Sequence, residues 1–232
     1  MERRRPFIDC SSPVETLEHL SPQQILQWAV ETYGQDLLMT SSFGLNGVAL
    51  IHMLQTITRS FTILFIDTGY HFPETLKTKQ QIEAKYGLKI LVLNPQLSIE
   101  EQAHMYGPHL FEHSPDLCCA LRKIEPMQRA LEQLQPKAVL NARSRFQART
   151  RQDLPVIEWT RSPVRINPLT QWSHQQIEDY VRSNQVPYNP LHDEDFPSIG
   201  CWPCTRPVRP GEHLRAGRWA DRNKVECGLW TT

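Results

Sequence analysis

The sequence predicts a single α/β domain: a mostly parallel sheet with helices on both faces, followed by a proline-rich C-terminal tail. Three observations predict it. Strand-length apolar runs alternate with helical periods between residues 22 and 93, a pattern that calls for parallel strands joined by helical crossovers. Of the 232 residues, 40% are hydrophobic, and a chain of this size buries about 70% of its unfolded surface. No internal repeat or linker divides it. Residues 1–20 read as an N-terminal extension and 21–232 as the domain, with its tail mobile from about residue 210.

Ser21 and Pro22 place a capping hydroxyl and a first-turn proline ahead of residues 23–33, and Gly34 supplies the stop. That stretch reads as an amphipathic helix. Residues 37–40 form a buried strand feeding the loop 41–47 and a helix over 48–56. Residues 61–66 give the second strand, 67–69 a turn, 73–86 a helix ended by Gly87, and 88–93 the third strand. Beyond Ser98 the pattern loosens. Residues 99–106 and 118–134 read as helices, 138–141 as a strand, and 173–183 as a helix capped by Ser173. Prolines crowd residues 187–210, which read as successive turns. Right-handed crossovers bring the strand-ending loops to one edge of the sheet, where ligands bind in such folds.

Lysine plus arginine equals aspartate plus glutamate at 25 each, which argues against a general polyanion binder, so no nucleic acid is expected as a partner. The charge is unevenly placed: residues 1–120 hold 8 basic and 13 acidic side chains, residues 121–232 hold 17 and 12. Arginine supplies most of the second half's excess, and its fork suits sulfate, phosphate and carboxylate. The longest apolar runs fall far short of the roughly 20 residues that span a bilayer. Basic residues 3–5 resemble the start of an export signal, but no apolar stretch follows. The expectation is a cytoplasmic protein with no membrane partner.

There are six cysteines: Cys10, the adjacent pair Cys118 and Cys119, Cys201 and Cys204 in C-W-P-C, and Cys227 near the end. Without an export signal they point to metal binding or catalysis rather than disulfides. Two pairs make four soft ligands, which suit zinc or an iron–sulfur cluster. Adjacent ligands are unusual for structural zinc, which favours the cluster. A redox dithiol beside a buried cysteine pair is the plainer alternative. Cys227 sits before a glycine in a terminal stretch, the situation of an exposed, mobile nucleophile. Cys10 has no partner at motif spacing. The loop S-S-F-G-L-N-G offers hydroxyls and N–H groups at a helix N-terminus, a setting for an anion. It lacks the Gly-Lys-Ser/Thr ending of a Walker loop.

Several motifs in order make the chain resemble the assimilatory adenylyl-sulfate (APS) and phosphoadenylyl-sulfate (PAPS) reductase family from about residue 28 to 230. They are S-S-F-G at 41–44, D-T-G-Y-H-F-P-E-T at 67–75, C-C-A-L-R-K-I-E-P at 118–126, Y-N-P-L-H-D at 188–193, S-I-G-C-W-P-C-T-R-P at 198–207 and E-C-G-L at 226–229. The resemblance implies an adenine nucleotide α-hydrolase-like fold in which S-F-G-L-N-G replaces the S-G-G-x-D-S of ATP-cleaving relatives. It implies reduction of APS to sulfite and AMP in sulfate assimilation, with PAPS as a second substrate and thioredoxin or a similar thiol as donor. Cys118, Cys119, Cys201 and Cys204 match the ligands of the [4Fe-4S] cluster that marks the APS-using branch, and Cys227 matches the nucleophile. Substrate contacts carry over to Ser41, Ser42, Phe43, Gly44, Lys123, Arg145, Gln147, Arg215 and Arg218. Ser144 and Phe146 stand where the pattern has an arginine and an acidic residue, and Trp230 stands where E-C-G-L-H ends in histidine. The alternative from another class is a zinc-stabilised nucleotide-binding or tRNA-thiolation protein of the same superfamily.

Overall fold

Helix α1 (Pro22–Tyr33) starts where its sequence sets it: Gln24 N–H donates to the Ser21 hydroxyl at 3.3 Å, and Ser21 N–H donates to Gln24 Oε1 at 2.9 Å. The structure, a computed structural model, describes residues 17–220 and 222–230; Cys10 and the first sixteen residues of the expected extension lie outside the described residues. After α1 the chain alternates as predicted through β1 (Leu37–Thr40), α2 (Leu45–Ile57), β2 (Thr62–Ile66), α3 (Pro73–Tyr86) and β3 (Lys89–Leu93). Helix α2 begins three residues earlier than its pattern indicates, inside the glycine-containing loop. Gly47 makes this possible, because a Cβ there would lie 2.6 Å from the Ser41 hydroxyl oxygen.

The sheet has the order β3-β2-β1-β4-β6-β5, where β4 is Ala138–Leu140, β5 Ile157–Glu158 and β6 Val164–Ile166. All neighbours are parallel except β5, which runs antiparallel to β6. Strands of two and three residues carry no readable period, which is why β5 and β6 escape sequence reasoning. Met39 of β1 lies opposite Ile63 of β2 on one side and Leu140 of β4 on the other. Strand order reverses at β1, so a crevice opens beyond the ends of β1 and β4.

Helix α2 is apolar almost all round and sits inside the fold, against α1 and α8 (His174–Ser183). Leu17 belongs to this core at 2% exposure. Glu18 accepts the Val156 N–H at 2.7 Å. The packed domain therefore reaches back at least to Leu17, ahead of the boundary expected at residue 21.

One helix differs from expectation. The 118–134 stretch is built as α6 (Pro115–Cys119), a π segment (Ala120–Ile124) and α7 (Glu125–Leu134), after α4 (Ile99–Tyr106) and α5 (Leu110–His113). Pro126 has no N–H to give to Arg122, so the ordinary ladder breaks there. Glu125 N–H bonds instead to Ala120 O, five residues back.

The proline-rich segment forms turns as predicted, with 3-10 pieces at Pro190–Asp193 and Trp202–Cys204. It is tied down by bridges between His71 and Cys201 and between Thr205 and Arg218. Arg206 N–H donates to Gly217 O at 2.9 Å, and a Cβ on Gly217 would meet Arg206 O at 2.0 Å. Gly217→Ala is therefore expected to destabilise the chain by about 1–3 kcal/mol, read as a lower urea midpoint; an unchanged midpoint would show that the two strands of this turn part freely. Among the described residues no helix is long and apolar enough to cross a membrane.

Candidate active site

The crevice beyond β1 and β4 is a cleft of ≈ 270 Å³, approaching the size of small-molecule sites. The β1 side supplies Ser41, Ser42, Gly44 and the start of α2. Gly44 is the N-cap of α2, and the helix's first turn, Leu45 to Gly47, lines the cleft, the setting of a candidate anion site. Phe43 N–H donates to Ser41 Oγ at 3.0 Å, which fixes the turn. Phe43 itself has φ 56°, is fully buried and meets Phe65 edge-on. Its side chain belongs to the core, so any contact of Phe43 with substrate would come through its backbone.

The β4 side brings Asn141, Arg143, Phe146, Gln147 and Arg151 to the cleft. Ser144 is fully buried, and its hydroxyl accepts from Asn46 Nδ2 at 2.6 Å. Arg143 pairs with Glu158 and donates to Asn167 Oδ1 at 3.2 Å. Arg145, expected at the substrate, points elsewhere: it donates to Leu154 O at 2.8 Å and pairs with Glu18 at 2.6 Å. Arg149 is exposed. Arg151 takes the cleft position instead and donates to Gln147 Oε1 at 2.5 Å.

Lys123 and Cys201 line both this cleft and a second, smaller pocket. The second pocket also collects Cys118, Cys119 and Cys204, so all four predicted ligands surround one space. The π segment is what places Lys123 between the two. Its neighbour Arg122 is buried, donates to Leu97 O and Gln102 Oε1 at 3.2 and 3.1 Å, and lies 5.3 Å from the Tyr70 ring centroid. Burial pushes the Cys118 and Cys119 thiols up to about 11, with Lys123 pulling the other way. Burial would raise Cys201 too, yet Lys123, the Thr68 hydroxyl at 3.4 Å and Arg218 bring it below the ordinary thiol range. Burial would lower Lys123, but the facing Cys201, Cys227 and Cys119 outweigh it and hold the ammonium above its usual range.

The tail closes the cleft. Cys227 is half-buried and lines it together with Leu229 and Trp230. The segment expected to swing free is seated in this structure: Lys224 pairs with Asp116, and Arg165 lies 4.9 Å from the Trp230 ring centroid while donating to Trp230 O at 3.1 Å. Arg215 donates to Val225 O at 3.0 Å, and Arg218 to Ile199 O at 3.1 Å. Burial, with Arg218 and Arg151 nearby, brings the Arg215 guanidinium down to about 10. Sequence reasoning missed Asn141, His174 and His192, which also line the cleft. His192 was visible within Y-N-P-L-H-D but had no role; burial lowers its imidazole to about 4, against a smaller opposing pull from the Phe196 backbone.

An open α/β sheet with a glycine-containing loop at its switch point and thiols lining the crevice is the arrangement for which comparison with known proteins finds a match. The chain belongs to the phosphoadenosine phosphosulfate reductase domain family, whose pattern matches residues 36–207. It is 46% identical over 223 residues to an adenosine 5'-phosphosulfate reductase of Deinococcus radiodurans, covering 96% of this chain and 86% of that one. It is 42% identical over 226 residues to a phosphoadenosine 5'-phosphosulfate reductase of Gloeobacter violaceus, covering 92% and 93%. The crystal structure of a phosphoadenylyl-sulfate reductase from Candida auris superposes with a TM-score of 0.74 at 38% identity, over 83% of this chain and 94% of that one. The chain is thus an oxidoreductase of the sulfate-assimilation type acting on a sulfur group, and the reading as a zinc-stabilised tRNA-thiolation protein gives way.

Proposed function

We propose that the chain reduces adenylyl sulfate to sulfite and AMP in the cytoplasm, takes its electrons from thioredoxin or a similar dithiol protein, and accepts PAPS as a second substrate. The observation that carries this reading is the position of Lys123, which joins the four-cysteine pocket to the cleft that holds Cys227. Ser41, Ser42 and the α2 N-terminus receive an anionic group of the nucleotide. Arg218, which donates to the neutral oxygens of Ser198 and Ile199, and Lys123 face the sulfonyl oxygens and neutralise charge as it shifts.

The Cys227 thiolate attacks sulfur, the bond from sulfur to the bridging oxygen breaks, and AMP leaves with the electron pair. Cys227 then carries an S-sulfonate. A donor thiolate attacks the Cys227 sulfur and sulfite departs with the pair; the donor's second thiol closes its disulfide and restores Cys227. Sulfur gains two electrons and the dithiol loses two.

Cys118, Cys119, Cys201 and Cys204 would hold a [4Fe-4S] cluster. Directly adjacent ligands such as Cys118 and Cys119 are unusual for structural zinc, whose paired ligands stand about two to four residues apart. Four thiols spread around one pocket suit a group that takes one thiolate per iron. When bound, the cluster supplies a charged, polarisable wall beside Lys123. Initial rates on APS and PAPS with reduced thioredoxin, together with iron and acid-labile sulfide analyses of anaerobically prepared protein, test the proposal. Expected are sulfite from APS at the higher rate and close to four irons per chain; no sulfite from either nucleotide would overturn the activity, and iron near zero the cluster.

A further inference from the structure

The tail brings its own anion into the cleft. Glu226, next to Cys227, accepts from Arg151 through both oxygens, at 2.7 Å each, from the Thr150 hydroxyl at 3.2 Å and from Arg215 at 3.4 Å. The three charged side chains are only 14–17% exposed. A carboxylate gripped bidentately by one arginine and touched by a second reproduces what those guanidiniums would do with a phosphate or sulfate. Two arginines facing one carboxylate also leave a positive charge over, so a more highly charged anion is the better occupant.

We propose that Glu226 is an internal stand-in for the substrate's anionic group: it fills the Arg151–Arg215 site in the empty enzyme, and the incoming nucleotide displaces it. This rests on the reductase reading for the nucleotide's identity. The outer anchors of the tail stay in place during the exchange. Lys224 on Asp116 and Trp230 on Arg165 bracket Cys227 from both sides, so the thiol stays at the cleft while the carboxylate beside it gives way. Glu226 is thus a positioning residue that seats the tail before substrate arrives and yields its partners afterwards.

Glu226→Gln keeps the shape and removes the competing charge. Its equilibrium affinity for AMP and for inorganic sulfate is expected to rise roughly tenfold, because one charge-assisted competitor is gone, while kcat falls because the tail is less firmly seated. A residue that merely holds the tail would leave both affinities unchanged or weaken them, and either result overturns the proposal. A second measurement needs no variant: in the wild-type protein, AMP should speed alkylation of Cys227 by iodoacetamide, read on the mapped peptide. Slower alkylation would mean that AMP shields the thiol while Glu226 keeps its arginines, which also overturns it. Both readouts are binding measurements, so failure of the reductase reading shows separately, as absence of sulfite from the wild-type enzyme.

Discussion

Cys227→Ser is expected to lower sulfite release by roughly four orders of magnitude or more, because a serine hydroxyl stays protonated near neutral pH and is a far weaker nucleophile than a thiolate. Nucleotide binding should survive, since the anion loop at Ser41 and Ser42 and the cations around it do not depend on the thiol. Intact mass after mixing with APS and no donor separates the steps: the wild-type chain gains one sulfonate and the variant gains none. The four thiols of the second pocket are untouched by the change, so bound iron should be equal in the two proteins. Sulfite release at the wild-type rate from the serine variant would end the covalent mechanism.

Lys123→Met is expected to lower kcat by about 10²–10³-fold, the magnitude typical for removing one charge aimed at developing negative charge. The effect follows from place. Lys123 is the cation that lines both cavities, and its strongest electrostatic partners are Cys201, Cys227 and Cys119. Methionine matches its length and keeps the packing of the π segment, so folding and iron content serve as controls. If kcat stays within threefold while iron content is unchanged, the sulfonyl oxygens are neutralised by the arginines alone.

Much of this was legible in the chain. The caps at Ser21 and Ser173 and the stop at Gly87 mark helix ends by chemistry local to a few residues, and local chemistry survives folding. The cysteine pairs were legible as a set for the same reason: spacing within each pair is local, although their meeting is not. What escaped depends on distant partners. Arg145 aligns with a substrate contact but turns to Glu18, because a segment 127 residues away supplies a carboxylate and the β4 loop exposes Arg151 to the cleft instead. The seating of the tail likewise rests on Asp116, Arg165 and Arg151, none of them its neighbours in sequence. Residues 118–134 read as one helix straight through Pro126, and only the backbone shows the wide turn that accommodates the proline.

That wide turn has a consequence for how this stretch can vary. Each residue advances an α-helix by about 100°, so a turn that absorbs an extra residue resets the angular phase between the cysteine pair before it and the helix α7 behind it. Losing or gaining one residue between 120 and 124 would rotate Lys123 out of line with both cavities while leaving every side-chain type intact. Substitutions can be tolerated across much of this stretch, but its length cannot drift, and insertions or deletions there should be the rarest changes among working variants.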